Sequence, residues 1–147
     1  IIVGGSHYAL YQVCTCYREA YPDVPISGCL PAQAEMVKYT TNVHLAVKVS
    51  LANEINEICN KLSISYDKVI ELATHDERLG KSHWMVPGPD GNLGFGGTCF
   101  PKDLNALIYA ASELGVNVPV MEGAWETNLK ARPEKDWEQL KGRAVVE

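Results

Sequence analysis

Apolar residues in this chain recur mostly at steps of three and four, the period of helices that pack on one side. The longest such stretch, 31–62, has no Gly or Pro after its first residue, and Leu45, Val49, Ala52, Ile55, Cys59 and Leu62 form its stripe. The spacing predicts one continuous helix of roughly 45 Å. Val43, Val47, Leu51 and Ile58 make a second face apolar too, so a further partner, a second copy of the chain, is expected against it.

The flanks of this rod differ. Ile1-Ile2-Val3 with Gly4-Gly5 reads as a buried strand and a turn. A helix follows from His7 to Tyr21, with Leu10, Val13, Cys14 and Tyr17 on one face, and Val24 to Cys29 is a second extended run. Nothing stands ahead of Ile1 to pair with that strand, so residues 1–30 are expected to be the end of an α/β sheet whose earlier strands this sequence does not include. The letters IIVGG also open activated chymotrypsin-like proteases. Those enzymes are all-β and need a Ser, His and Asp constellation, which the helical period here excludes.

Beyond the rod, Ser63 or Ser65 is a candidate cap for a short helix that buries Val69, Ile70, Leu72 and Ala73. From His75 to Thr98 the period is lost among Gly and Pro residues. A long loop inside a compact domain is usually functional. Pro101 opens a helix with the stripe Leu104, Leu107, Ile108, Ala111 and Leu114, and Gly115 closes it. A further helix is expected over Pro119 to Ala131, with a last short turn opening at Pro133 to Trp137.

Composition changes the picture in three ways. With 147 residues, 46% of them hydrophobic, the chain has enough apolar material for one globular core. A net charge of -5 without a basic run gives a nucleic acid nothing to land on. There is no apolar stretch long enough to span a membrane, and the five cysteines lack the paired spacing of a disulfide framework, so a reducing, cytoplasmic setting is expected.

Cys99 is the first candidate for chemistry. It falls directly before a helix start, where free backbone N–H groups and the dipole favour negative charge, and after Gly94, Gly96 and Gly97, which let a ligand approach the backbone. Asp103, four residues on, shares its helix face and is placed to position or deprotonate a water near the sulfur. Lys38 and Asn42, also spaced by four, extend the line of the apolar stripe that begins at Leu45. A cation and an amide donor aimed at one site are what an oxyanion needs. Each residue also has a plainer reading: a structural thiol, a first-turn acid, a snorkelling lysine and a backbone-bonded amide. Cys14 and Cys16, two apart on a helix, face different ways and do not make a metal site with His7. The glycines from Gly91 to Gly97 follow no strand and lack the GxGxxG spacing of a dinucleotide cradle.

Three segments then carry a resemblance: Ala34-Glu35-Met36-Val37-Lys38-Tyr39-Thr40-Thr41-Asn42, Lys48-Val49-Ser50-Leu51-Ala52-Asn53-Glu54-Ile55, and Gly94-Phe95-Gly96-Gly97-Thr98-Cys99-Phe100-Pro101-Lys102-Asp103. Together they closely resemble the UDP-glucose and GDP-mannose dehydrogenase family, over nearly the whole chain. The resemblance implies a mainly α chain: a helical central domain, 31–147, built on one long helix and preceded by 1–30, the last strands and helix of a truncated α/β Rossmann domain. It implies oxidation of a sugar C6 alcohol to a carboxylate with two NAD, through a thiohemiacetal and a thioester on Cys99. Lys38 and Asn42 would stabilise the oxyanion and contact substrate, and Asp103 would assist with water. Arg78 would reach the substrate of a neighbouring subunit in a homodimer built on helix 31–62, Phe95 and Gly96 would line the sugar-nucleotide pocket, and Lys102 is the candidate for cofactor contact. The Cys99-Phe100-Pro101-Lys102-Asp103 form and the Arg78 segment point to UDP-glucose. GDP-mannose, UDP-N-acetylmannosamine, and a non-enzymatic helical dimerisation module are the alternatives. The family's dinucleotide fingerprint and its NAD-binding domain lie ahead of Ile1, so the isolated chain is expected to be inactive.

Overall fold

A computed structural model describes residues 1–140, of which 62% are helical, in five α-helices and two short 3-10 turns, with one small two-stranded sheet. The chain is mainly α, as its apolar period requires. The last seven residues of the expected 31–147 domain lie outside the described residues. Two compact units are present, Ile1–Thr41 and Asn42–Glu147.

In the first unit, β1 (Ile2–Gly4) and β2 (Ser27–Cys29) pair in parallel, with Val3 opposite Gly28, and α1 (His7–Ala20) connects them. Parallel strands cannot be joined by a tight turn, so the helix is the necessary crossover. Leu10 of α1 lies on the sheet at Gly28, where an added Cβ would come within 3.2 Å of it. The expected apolar face of α1 is only partly covered: Cys14 is buried, but Val13 and Tyr17 stay exposed. The extended run expected from Val24 shortens to Ser27–Cys29, since Pro25 has no N–H to give a ladder.

The helix α2 (Pro31–Lys61) begins in the first unit and continues into the second, ending one residue short of its expected bound. Within the second unit its packing departs from the simple stripe. Ala52 and Cys59 are buried, Leu45, Val49 and Ile55 are half-buried, and Leu62 is exposed. Val43, Ala46, Lys48 and Ser50 are buried as well. The buried arc is wide because different elements press on it from different sides. On one, α4 (Phe100–Glu113) and α5 (Pro119–Ala131) meet it around Val43, Ala46, Phe95 and Leu104. On another, α3 (Tyr66–Ala73) and the following loop meet it around Ala52, Cys59, Tyr66 and Trp84. Ser50 is tolerated in the interior because its hydroxyl donates to Ala124 O at 2.7 Å, and its small size lets α5 approach.

Local chemistry sets the ends. Ser65, not Ser63, caps α3, with its hydroxyl accepting from Lys68 N at 3.2 Å. Leu72 points outward and Tyr66 is buried instead, its hydroxyl donating to Trp84 O at 2.6 Å. Burial, then the charges of Asp67 and Cys59, push that phenol up to about 12. Gly115, at φ +68, ends α4 in the left-handed conformation the sequence leads one to expect, and Leu114 is left exposed beside it.

Candidate active site

Cys99 occupies the cap position of α4, which begins at Phe100 with Pro101 in its first turn. Proline fits there because its missing N–H would have had no helical partner. The Cys99 side chain is exposed, and its sulfur lies 3.7 Å from the Thr98 hydroxyl. One turn on, Asp103 N donates to Cys99 O at 2.9 Å, which ties the carboxylate and the thiol to the same turn.

Asp103 differs from the expectation of a water-facing acid. It is fully buried, with one carboxylate oxygen accepting from the Asn42 amide and the other paired with the Lys102 ammonium. Packing explains this: Leu104, fully buried beside it, seats the first turn of α4 against Val43 and Ala46 of α2, and the neighbouring acid is drawn in with it. A buried carboxylate needs such partners, because an unpaired charge there is costly. The structure therefore joins Asn42, Lys102 and Asp103 by side-chain contact, whereas Cys99 is tied to Asp103 through the backbone bond of their shared turn. Lys38, one turn before Asn42, belongs to the first unit, and its share in the site rests on the helical spacing.

Beside this turn is a cavity of about 580 Å³ whose walls include Trp84, Gly88, Asp90, Phe95, Gly96 and Phe100. Gly94 and Gly97 bend the strip between them with φ of +65 and +69, a conformation that only glycine adopts without strain. Phe95 is buried between Phe100, edge-on at a centroid distance of 6.0 Å, and Trp125 at 6.3 Å. Arg78 stands apart on the turn Glu77–Leu79: its side chain is 89% exposed and its guanidinium is held in a fork by Asp76, the Nε bond to Oδ1 being 2.9 Å.

Four residues that support the site were given no role in the sequence analysis, although Lys48 and Asn53 lie in a segment that carries the resemblance. Asn128, wholly buried on α5, accepts from Phe95 N at 2.7 Å and donates to Phe95 O at 3.0 Å, and Asn53 accepts from Gly94 N at 3.1 Å. Arg132 is buried and paired with Asp90 at 2.7 Å and Asp136 at 2.7 Å. Burial alone would raise the Asp90 carboxyl, but the Arg132 guanidinium and the Asn92 N–H outweigh it and hold the group below its ordinary value of 3.8. Lys48, also buried, donates to Leu79 O at 2.7 Å and lies 4.6 Å from the centre of the Trp84 ring, and burial lowers its ammonium below 10.5. A signal for two of the four was present: Ala124, Asn128 and Arg132 are spaced by four, the same pattern of polar groups on a buried line that drew attention to Lys38 and Asn42.

Among the described residues no three His, Cys, Asp or Glu side chains gather in a way that could hold a metal, and no helix is long and apolar enough to cross a membrane. Nor do they form a dinucleotide cradle: the turn after β1 reads Gly4-Gly5-Ser6, and the 94–97 glycines follow no strand.

The profile of the UDP-glucose/GDP-mannose dehydrogenase family, central domain, matches residues 32–130. The chain is 40% identical to the GDP-mannose 6-dehydrogenase of Pseudomonas aeruginosa over 113 residues, 76% of this chain and 24% of that enzyme. It is 38% identical to the UDP-glucose 6-dehydrogenase TuaD of Bacillus subtilis over 99 residues, 67% of this chain and 20% of that enzyme. A solved UDP-glucose dehydrogenase from the archaeon Pyrobaculum islandicum is similar in fold, with a TM-score of 0.78 at 33% identity over 88% of this chain and 29% of that one. The chain thus spans about a quarter of the length of the curated relatives it matches.

Proposed function

Since the chain belongs to the UDP-glucose/GDP-mannose dehydrogenase family, we propose that it is the thiol-bearing part of an NAD-dependent UDP-glucose 6-dehydrogenase, acting in the cytoplasm. The observation that carries this reading is the exposed Cys99 at the head of α4, one turn from the Asn42–Asp103 pair and flanked in the chain by Gly97 and Phe100, which line the cavity although Cys99 itself does not. NAD, held by other parts of the enzyme, supplies the hydride acceptor. The residues of this chain do the remainder. After the C6 alcohol has given a hydride to a first NAD and its proton to a base, the Cys99 thiolate bonds to the resulting aldehyde carbon, and the carbonyl electron pair moves to oxygen, where the Asn42 amide and the Lys38 ammonium stabilise it. Once that adduct is oxidised to a thioester, water adds, the sulfur–carbon bond breaks, and the carboxylate leaves as the thiol is restored. Asp103 holds Asn42 and Lys102 in place for these steps, and it reaches water only if one of those partners moves away.

A homodimer through helix 31–62 is part of the same reading. Leu51 and Ile58 on α2 are 46% and 57% exposed, apolar surface that a second copy would cover. Arg78, projecting from a turn that Asp76 and Lys48 hold rigid, then reaches the neighbour's substrate.

GDP-mannose is the second reading, favoured by the 40% identity to the Pseudomonas enzyme. The assay that tests both is NADH production. The 147 residues alone should give none with UDP-glucose, whereas the complete reading frame should reduce NAD with it. Reduction with GDP-mannose but not UDP-glucose moves the assignment to the second reading. Reduction with neither sugar, and none with UDP-N-acetylmannosamine, ends the dehydrogenase assignment.

A further inference from the structure

Arg132 lies outside every motif discussed for the site, yet it lines the cavity and touches two other stretches of its lining. Its Nη2 pairs with Asp90, which lines the cavity with Gly88 and Pro89, at 2.7 Å, and its Nε pairs with Asp136 at 2.7 Å. At Gly96, another lining residue, the fit is tighter still. A Cβ added to Gly96 would come within 2.5 Å of Arg132 Cζ and 2.6 Å of Asp136 Oδ1, so the ion pair lies flat on the Gly96 backbone. The guanidinium side chain is 4% exposed, whereas Asp90 is 48% exposed. A buried cation between two carboxylates is a fixed point, and a half-exposed loop acid is the part that would move without it. Nη1 is buried with no hydrogen-bond partner among the described residues, of which Asp90 and Asp136 form ion pairs with the guanidinium.

We propose that Arg132 is a positioning residue for the sugar-nucleotide pocket: one guanidinium sets the distance between the Asp90 loop and the Gly96 strip, and its grip on Asp136 ties that distance to the turn after α5. The inference rests on the functional reading above. It assigns Arg132 no contact with the reacting atoms.

The test uses the complete enzyme with UDP-glucose, and GDP-mannose in parallel, and compares Asp90→Asn, Asp136→Asn, Arg132→Lys and the Asp90→Asn/Arg132→Lys double variant. Asp136 does not line the cavity, so its loss reaches the substrate only through Arg132. Each single variant should raise KM about fivefold with kcat held within about twofold. The double variant should be no worse than Arg132→Lys alone, because the pair acts as a unit. If KM is unchanged in both carboxylate variants, or if the double variant shows the product of the two single effects, the positioning role is overturned. An Arg132→Lys protein that does not fold leaves the two carboxylate variants to decide. If the unaltered enzyme turns over neither sugar, the functional reading has failed and takes the inference with it. If it turns over normally and the variants match it, only Arg132 loses its role.

Discussion

Replacing Cys99 with Ser should abolish carboxylate formation by the complete enzyme, lowering turnover by about a thousandfold or more, while leaving its melting temperature unchanged. The substitution changes one exposed atom whose recorded contact is the Thr98 hydroxyl at 3.7 Å, so the fold has no reason to respond. The chemistry does: a serine hydroxyl is a poor nucleophile without an adjacent base, and the acid nearest in sequence, Asp103, is buried and engaged by Asn42 and Lys102. Steady-state production of the uronate, alongside a thermal melt, checks both halves. A serine enzyme retaining a tenth of the activity would remove Cys99 from the covalent role.

The second large effect is structural and falls on the same loop. Asn128→Ala should destabilise the domain by about 3 kcal/mol, because it strips the partners from both the N–H and the C=O of Phe95 and leaves a space where the amide was. Asn128 and Phe95 are both buried, at 0% and 4% exposure, so water does not replace the lost bonds. At about 3 °C for each kcal/mol in a domain of this size, the melting temperature should fall by about 10 °C. A fall of less than about 2 °C, a fraction of a kcal/mol, would show that the amide is not what holds the 94–97 strip.

Helix bounds were legible because single residues fix them: Pro31 and Pro119 start α2 and α5, Pro101 falls in the first turn of α4, and Gly115 ends α4. Which side chains turn inward was less legible, for a physical reason. Apolar periodicity assumes one covering partner, whereas α2 is covered from two directions, so Lys48 and Ser50 are buried in addition to the stripe and Leu62 is left out. The four-residue spacing of Cys99 and Asp103 placed both on one turn. It did not reveal that the acid is sealed by Asn42, 61 residues away in sequence, nor that Asn128 grips Phe95 across 33 residues. Pairings of that kind depend on how helices pack, and no local spacing encodes them.

The central claim is that the Cys99 sulfur is the reacting group of a nucleotide-sugar pocket, and alkylation of the complete enzyme with iodoacetamide, followed by peptide mass spectrometry, tests it most directly. Cys16 is exposed as well, so it controls for simple access, while Cys14 and Cys59 are buried. The account predicts that activity is lost in step with modification of Cys99, and that UDP-glucose slows its labelling but not that of Cys16. Full activity in enzyme fully alkylated at Cys99 would contradict it.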